Sequence, residues 1–182
     1  MFESVSDIFE ANLRLIVTLR LSNHFVVVYG FVDASGSGFG STLLVKGQVQ
    51  YRIGTWSSEE DVNSSNWREF ENMVCEIEQA AHKGWLNEST VIMVTDNQVV
   101  EACIYKGNSS SPKLFDLIVR LKLLEFKVGM TLIVTHVSGS RMKLQGKDDV
   151  SRWSLTTGVT VGKNMIDYCP WEKNPIIMEP KL

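Results

Sequence analysis

The stretch STVIMVTDN, residues 89–97, is a nearly unbroken apolar run that stops at an aspartate. An apolar run of that length, rich in β-branched residues and bounded by polar turn material, reads as a strand buried on both faces. Such a strand needs paired neighbours and helices laid over the sheet.

The remaining chain supplies both. HFVVVYGFVDA, at 24–34, is a second apolar strand, and SGSG turns the chain into FGSTLLVK and then GQVQYRIGTW. The Lys46-Gly47-Gln48 join between the last two is of hairpin length. SSEEDVNSSN is loop, with Ser65 or Asn66 capping a helix whose apolar stripe is Trp67, Phe70, Val74, Ile77 and Ala81 and which ends near Gly84. QVVEACIYKG follows the 89–97 strand as a short helix. Ser111 as cap and Pro112 at the first helical position open another, with Leu114, Ile118, Leu121 and Leu124 as its stripe. MTLIVTHVSG is a fifth strand, and a last short helix is expected around Asp148. The order β-β-β-α-β-α-α-β-α predicts an α/β fold with a five-stranded mixed sheet: three antiparallel strands, then parallel ones, flanked by helices. The expected organisation is a lead-in or connector over 1–24, one domain over 25–153, and an extended tail or linker over 154–182, where three of the four prolines lie.

Bulk properties narrow the function classes. Hydrophobic residues make up 44% of the 182, and no apolar run reaches the roughly 18 residues of a membrane helix. With no secretory pattern at the start, a soluble intracellular protein without a membrane partner is expected. Cys75, Cys103 and Cys169 share no metal-type spacing. The first two read as small core residues, and free thiols suit a reducing compartment. The net charge of −3 is low for a chain that grips nucleic acid, because phosphate contacts dominate that affinity. Weak binding alone, with positive surface supplied by neighbouring domains, is the expectation.

The residues that carry chemistry are acids. In open α/β sheets, sites gather at the carboxyl ends of strands near a change in strand order, and Asp33 and Asp96 end two predicted strands. Each also has a plainer reading, Asp33 as a turn former and Asp96 as a helix cap. DASGSG lacks the P-loop lysine and leads into a strand, so it is no phosphate-binding fingerprint. Glu69 and Glu71 flank the helical stripe on opposite sides, and the helical wheel does not choose between them, while Glu76 and Glu78 read as a solvated face. Asp148 and Asp149 form a late adjacent pair, and His136 alternates with apolar neighbours in the fifth strand. Four carboxylates brought to one point hold a pair of divalent ions, the arrangement used for phosphodiester cleavage.

VDASGSGFG, SNWREFENM, VTDN and Asp148-Asp149-Val150-Ser151-Arg152 resemble, in order and spacing, the ribonuclease H domain of retrotransposon reverse transcriptases, over roughly residues 25–153. The resemblance implies a ribonuclease H-like fold and a D…E…D…D set binding two Mg2+ ions, with Mn2+ as a substitute. It implies hydrolysis of the RNA strand of an RNA–DNA hybrid. Asp33, Glu69, Asp96 and Asp148 take the ligand positions, with Asp149 as the alternative to Asp148. The near match of Asn66-Trp67-Arg68-Glu69 to the family's N-x-R-x-E favours Glu69 over Glu71. His136 takes the place of a histidine that assists product release or proton transfer, and Ser35, Asn66 and Asn97 become donors to the RNA backbone. An adjacent polymerase domain in the same polyprotein is the implied partner. The implied setting is the cytoplasm, the nucleus or a retroelement particle. Two other readings stand beside this one: an inactive or domesticated ribonuclease H-like scaffold, and a different nuclease or strand-transfer enzyme on the same fold.

Overall fold

The computed structural model describes residues 26–61 and 63–139. The expected lead-in, the helix around Asp148, Asp149, Cys169 and the tail lie outside the described residues. Within them the order is β1 (Val26–Ala34), β2 (Gly38–Val45), β3 (Gln48–Thr55), α1 (Ser58–Asp61), α2 (Ser65–His82), β4 (Ser89–Thr95), α3 (Gln98–Lys106), α4 (Pro112–Val128) and β5 (Thr131–His136). The strands form one sheet in the order β3-β2-β1-β4-β5. β1, β2 and β3 are antiparallel neighbours, and β4 lies parallel to both β1 and β5.

Local chemistry accounts for the joins. Lys46 and Gly47 both have positive φ (51° and 77°), the combination that a two-residue hairpin needs to match strand twist. The cap of α2 is Ser64, whose side chain accepts from the Trp67 N–H at 3.3 Å, and this corrects the expectation of Ser65 or Asn66. Ser64 alone has the extended backbone that lets a hydroxyl reach back over the first turn. Ser111 stands at the cap of α4 without a side-chain bond, and Pro112 opens that helix. The single turn α1 lies within the stretch read from sequence as loop.

Alternation along the strands divides the side chains between two faces. On one, Phe70, Met73, Val74 and Ile77 of α2 and Leu117 and Leu121 of α4 pack with Val28, Val32, Leu43, Met93 and Val134. On the other, Phe31, Leu44 and Val94 cluster with Val137, just past β5. β4 contributes Val91 and Met93 to the first face and Val94 to the second, as its unbroken apolar run predicted.

Candidate metal centre

Parallel pairing of β1 and β4 puts their carboxyl ends at the same edge of the sheet. Phe31 is the partner of Val94, and Asp33 and Asp96 stand two residues further along their chains. Neighbouring strands lie about 4.8 Å apart, so the two acids arrive side by side. Helix α2 brings Glu69 over this edge. One ligand oxygen from each of Asp33, Glu69 and Asp96 lies within 4.8 Å of the others. Asp33 is 9% exposed and Glu69 6%, while Asp96 is half-buried.

The height of α2 is set by a polar stripe that the sequence reading missed. Asn72, one turn beyond Glu69, donates to the carbonyls of Asp33 (3.0 Å) and Gly40 (2.9 Å) and accepts from Arg52 at 2.7 Å. One turn further, Glu76 accepts from the Ser41 hydroxyl. Glu76 is buried, which corrects its assignment to a solvated face. It lies inward because the helix face holding Asn72 and Glu76 meets polar groups of β2 and β3, where hydrogen bonds replace apolar packing.

Electrostatics distinguish Glu69. Burial comes first, then the charges of Asp33 and Asp96 and a hydrogen bond with Asp96, and together they hold its carboxyl well above the ordinary carboxylate range. The Ala34 N–H opposes this by favouring the ionised form. Thr95, fully buried, aims its hydroxyl at Glu69 Oε2 (3.4 Å) and accepts from the Asn97 N–H (3.2 Å). Three carboxylates offer oxygen alone, the donor type that suits Mg2+, and their crowding is a condition that a bound cation relieves. The donor set therefore fits a hard divalent ion.

Other candidate residues fall around this group. Glu71 is turned away, held by Arg120 at 2.9 and 3.1 Å and accepting from the Cys75 thiol. The structure thus separates the two acids that the helical wheel left open. Asp148 and Asp149 lie outside the described residues. His136 ends β5 opposite Thr95, with its N–H on Glu101 Oε1 (2.9 Å), and is not one of the three clustered groups. Asn97 caps α3 through its side-chain oxygen and donates to Asn66 at 2.9 Å. Ser35 locks the β1–β2 turn, its hydroxyl exchanging bonds with Gly38 while its carbonyl accepts from Trp56. These three residues have local partners at the rim of the acid group, and their bonds fix the loops there.

No protein-family model and no curated protein matches this chain. Solved structures do. Ribonuclease H1 from Halobacterium salinarum is 19% identical with a TM-score of 0.51, over 70% of this chain and 91% of that one. LC11 ribonuclease H1, solved in complex with an RNA/DNA hybrid, is 15% identical with a TM-score of 0.55, over 70% and 94%. The N-terminal ribonuclease H domain of Rv2228c from Mycobacterium tuberculosis gives 14% and 0.51, over 70% and 95%. The chain has a ribonuclease H fold. In this ribonuclease H-like sheet the acids Asp33 and Asp96 end the central parallel pair, where strand order changes direction. The fold expected from the sequence is the fold observed.

Proposed function

We propose that this chain is a metal-dependent endoribonuclease that hydrolyses the RNA strand of RNA–DNA hybrids. The observation that carries the reading is the gathering of Asp33, Glu69 and Asp96 within 4.8 Å at the carboxyl edge of a ribonuclease H-like sheet. Asp33, Glu69 and Asp96 would hold Mg2+, or Mn2+ in its place, with Asp148 as the fourth acid and Asp149 as its alternative. Bound divalent ions lower the pKa of an attacking water and stabilise a departing 3′ oxygen.

The chain's own groups perform the remaining tasks. Thr95 and the Ala34 N–H orient Glu69, and the buried Asn72 fixes the helix that carries it. The Asn97–Asn66 pair and the Ser35 turn shape the rim that meets the RNA backbone. Choice of RNA would rest on the 2′-hydroxyl and on groove shape rather than on base identity. His136, at the end of β5, would accept or deliver a proton at its imidazole or assist product release. The four sequence motifs support a place beside a reverse transcriptase polymerase in a retroelement polyprotein, with residues 25–153 as the nuclease unit.

End-labelled hybrid with Mg2+ tests this, comparing the parent with Asp96→Asn. Cuts in the RNA strand that vanish with that substitution support the reading. No cuts at high enzyme, with Mn2+ as well as Mg2+, would favour a scaffold, the reading to which the net charge of −3 also points.

A further inference from the structure

Gly139 is the fourth residue of the HVSG run that leaves β5. A Cβ built on it would stand 2.9 Å from Asp96 Oδ2, 3.9 Å from its Cγ and 4.0 Å from its Cβ. The first separation is closer than real Cβ atoms come to another heavy atom, so any side chain at 139 forces a movement. The question is which part moves.

The backbone leading to Gly139 and the backbone beside Asp96 are both held. On the β5 side, the Val137 N–H donates to the Thr95 carbonyl at 2.9 Å, the His136 N–H donates to Glu101 at 2.9 Å, and Val137 is buried beside Phe31 and Val94. On the β4 side, the Asn97 N–H is bonded to the Thr95 hydroxyl, and the Asn97 side chain is committed to the first amides of α3. The freest remaining motion is rotation of the Asp96 side chain, which would carry its carboxylate away from Glu69 and Asp33.

We propose that Gly139 is a positioning residue for Asp96, its bare Cα setting the rotamer that keeps the Asp96 carboxylate in the three-acid group. The inference rests on the metal-site reading above. It explains why this exit from β5 carries a glycine beside an acid, although Gly139 does not have the positive φ that calls for one.

The test is Mn2+ binding to the metal-free full chain, followed by calorimetry, for the parent, Gly139→Ala and Gly36→Ala. Gly36 has nothing within 4 Å of a built Cβ and serves as the control. Gly139→Ala should weaken Mn2+ binding on the order of 10–100-fold, the usual cost of losing support around a ligand. Its metal-free Tm should stay at the parent value, and Gly36→Ala should bind like the parent. Parent-like affinity in Gly139→Ala overturns the proposal, and so does a variant that unfolds without metal, since Gly139 is then a structural residue. A parent that binds no Mn2+ defeats the metal-site reading instead. The contact is then decided by a crystal structure of Gly139→Ala, where a rotated Asp96 upholds the inference and an unmoved one overturns it.

Discussion

Two of the acids on helix α2, Glu69 and Glu71, stand two positions apart and end in opposite electrostatic situations. Glu71 faces α4, where Arg120 bridges it to Glu78 with contacts of 2.9 Å to each. That acidic pair shares a cation from the chain itself, and the guanidinium of Arg120 holds its proton more tightly in return. Glu69 faces Asp33 and Asp96, and burial first, then both charges, push its carboxyl upward. One group is complete as folded, and the other gathers like charges against their mutual repulsion. Natural chains keep such crowding mainly where the charge is used, which is why the second group reads as a site and the first as a helix-to-helix strut.

The sharpest way to break this contrast is the pair Glu69→Gln and Glu71→Gln. In hybrid cleavage with Mg2+, Glu69→Gln should lose more than the roughly 100-fold that follows loss of an outer support, and Glu71→Gln should keep its cuts. Without divalent ions the order reverses in a melting experiment at pH 8: Glu69→Gln should raise Tm, because burial first, and then the Asp33 and Asp96 charges, disfavour the ionised Glu69. A metal-free Tm that falls in Glu69→Gln would mean that the acid group is structural.

Next in size is Asn72→Ala, which takes away the bonds to Arg52 and to the Asp33 and Gly40 carbonyls. Leaving buried groups unpaired costs about 1–3 kcal/mol, measurable by urea unfolding. Unchanged stability would show that α2 is seated by apolar packing alone. Glu71→Gln should be milder, within about 1 kcal/mol, because Arg120 is a third exposed and keeps Glu78. A loss well beyond that would make the strut more than a surface bridge.

The smallest effect concerns pH. Burial raises the proton affinity of Glu76 above that of an exposed glutamate, against the Ser41 bond and the charges of Arg52 and Lys83. A carboxyl raised in the folded state contributes its full stability below its unfolded pKa, and that contribution is lost as pH rises through the folded pKa. Glu76→Gln keeps an acceptor for Ser41 and has no proton to lose. It should match the parent in Tm near pH 4 and exceed it at pH 8. Curves that stay parallel across that range would count against the burial argument.

Much of this was legible in the chain. The five strands, the helices α2, α3 and α4 and the mixed sheet followed from apolar runs and periodicity, since a strand buried on both faces and an amphipathic helix each leave a local pattern. Asp33 and Asp96 were visible as acids closing such runs. The choice between Glu69 and Glu71 came only from the motif resemblance, because a helical wheel records angle but not the neighbour that fills each direction. The Ser64 cap was hidden among several polar residues of similar capping ability. Glu76 read as part of a solvated face, and Asn72 and Ser41 gave no signal, for the same reason: a buried polar contact across elements leaves no period.

By itself, then, the amino-acid order determined which segments become the five strands and the helices α2, α3 and α4, and that two acids end strands. The element order also placed β4 parallel beside β1, but only the tertiary structure brought the Glu69 carboxylate to those of Asp33 and Asp96 and set Arg120 on Glu71. Secondary structure is written in neighbours along the chain, whereas a charge cluster depends on residues 33, 69 and 96 meeting across packed elements, with energies set by burial and proximity.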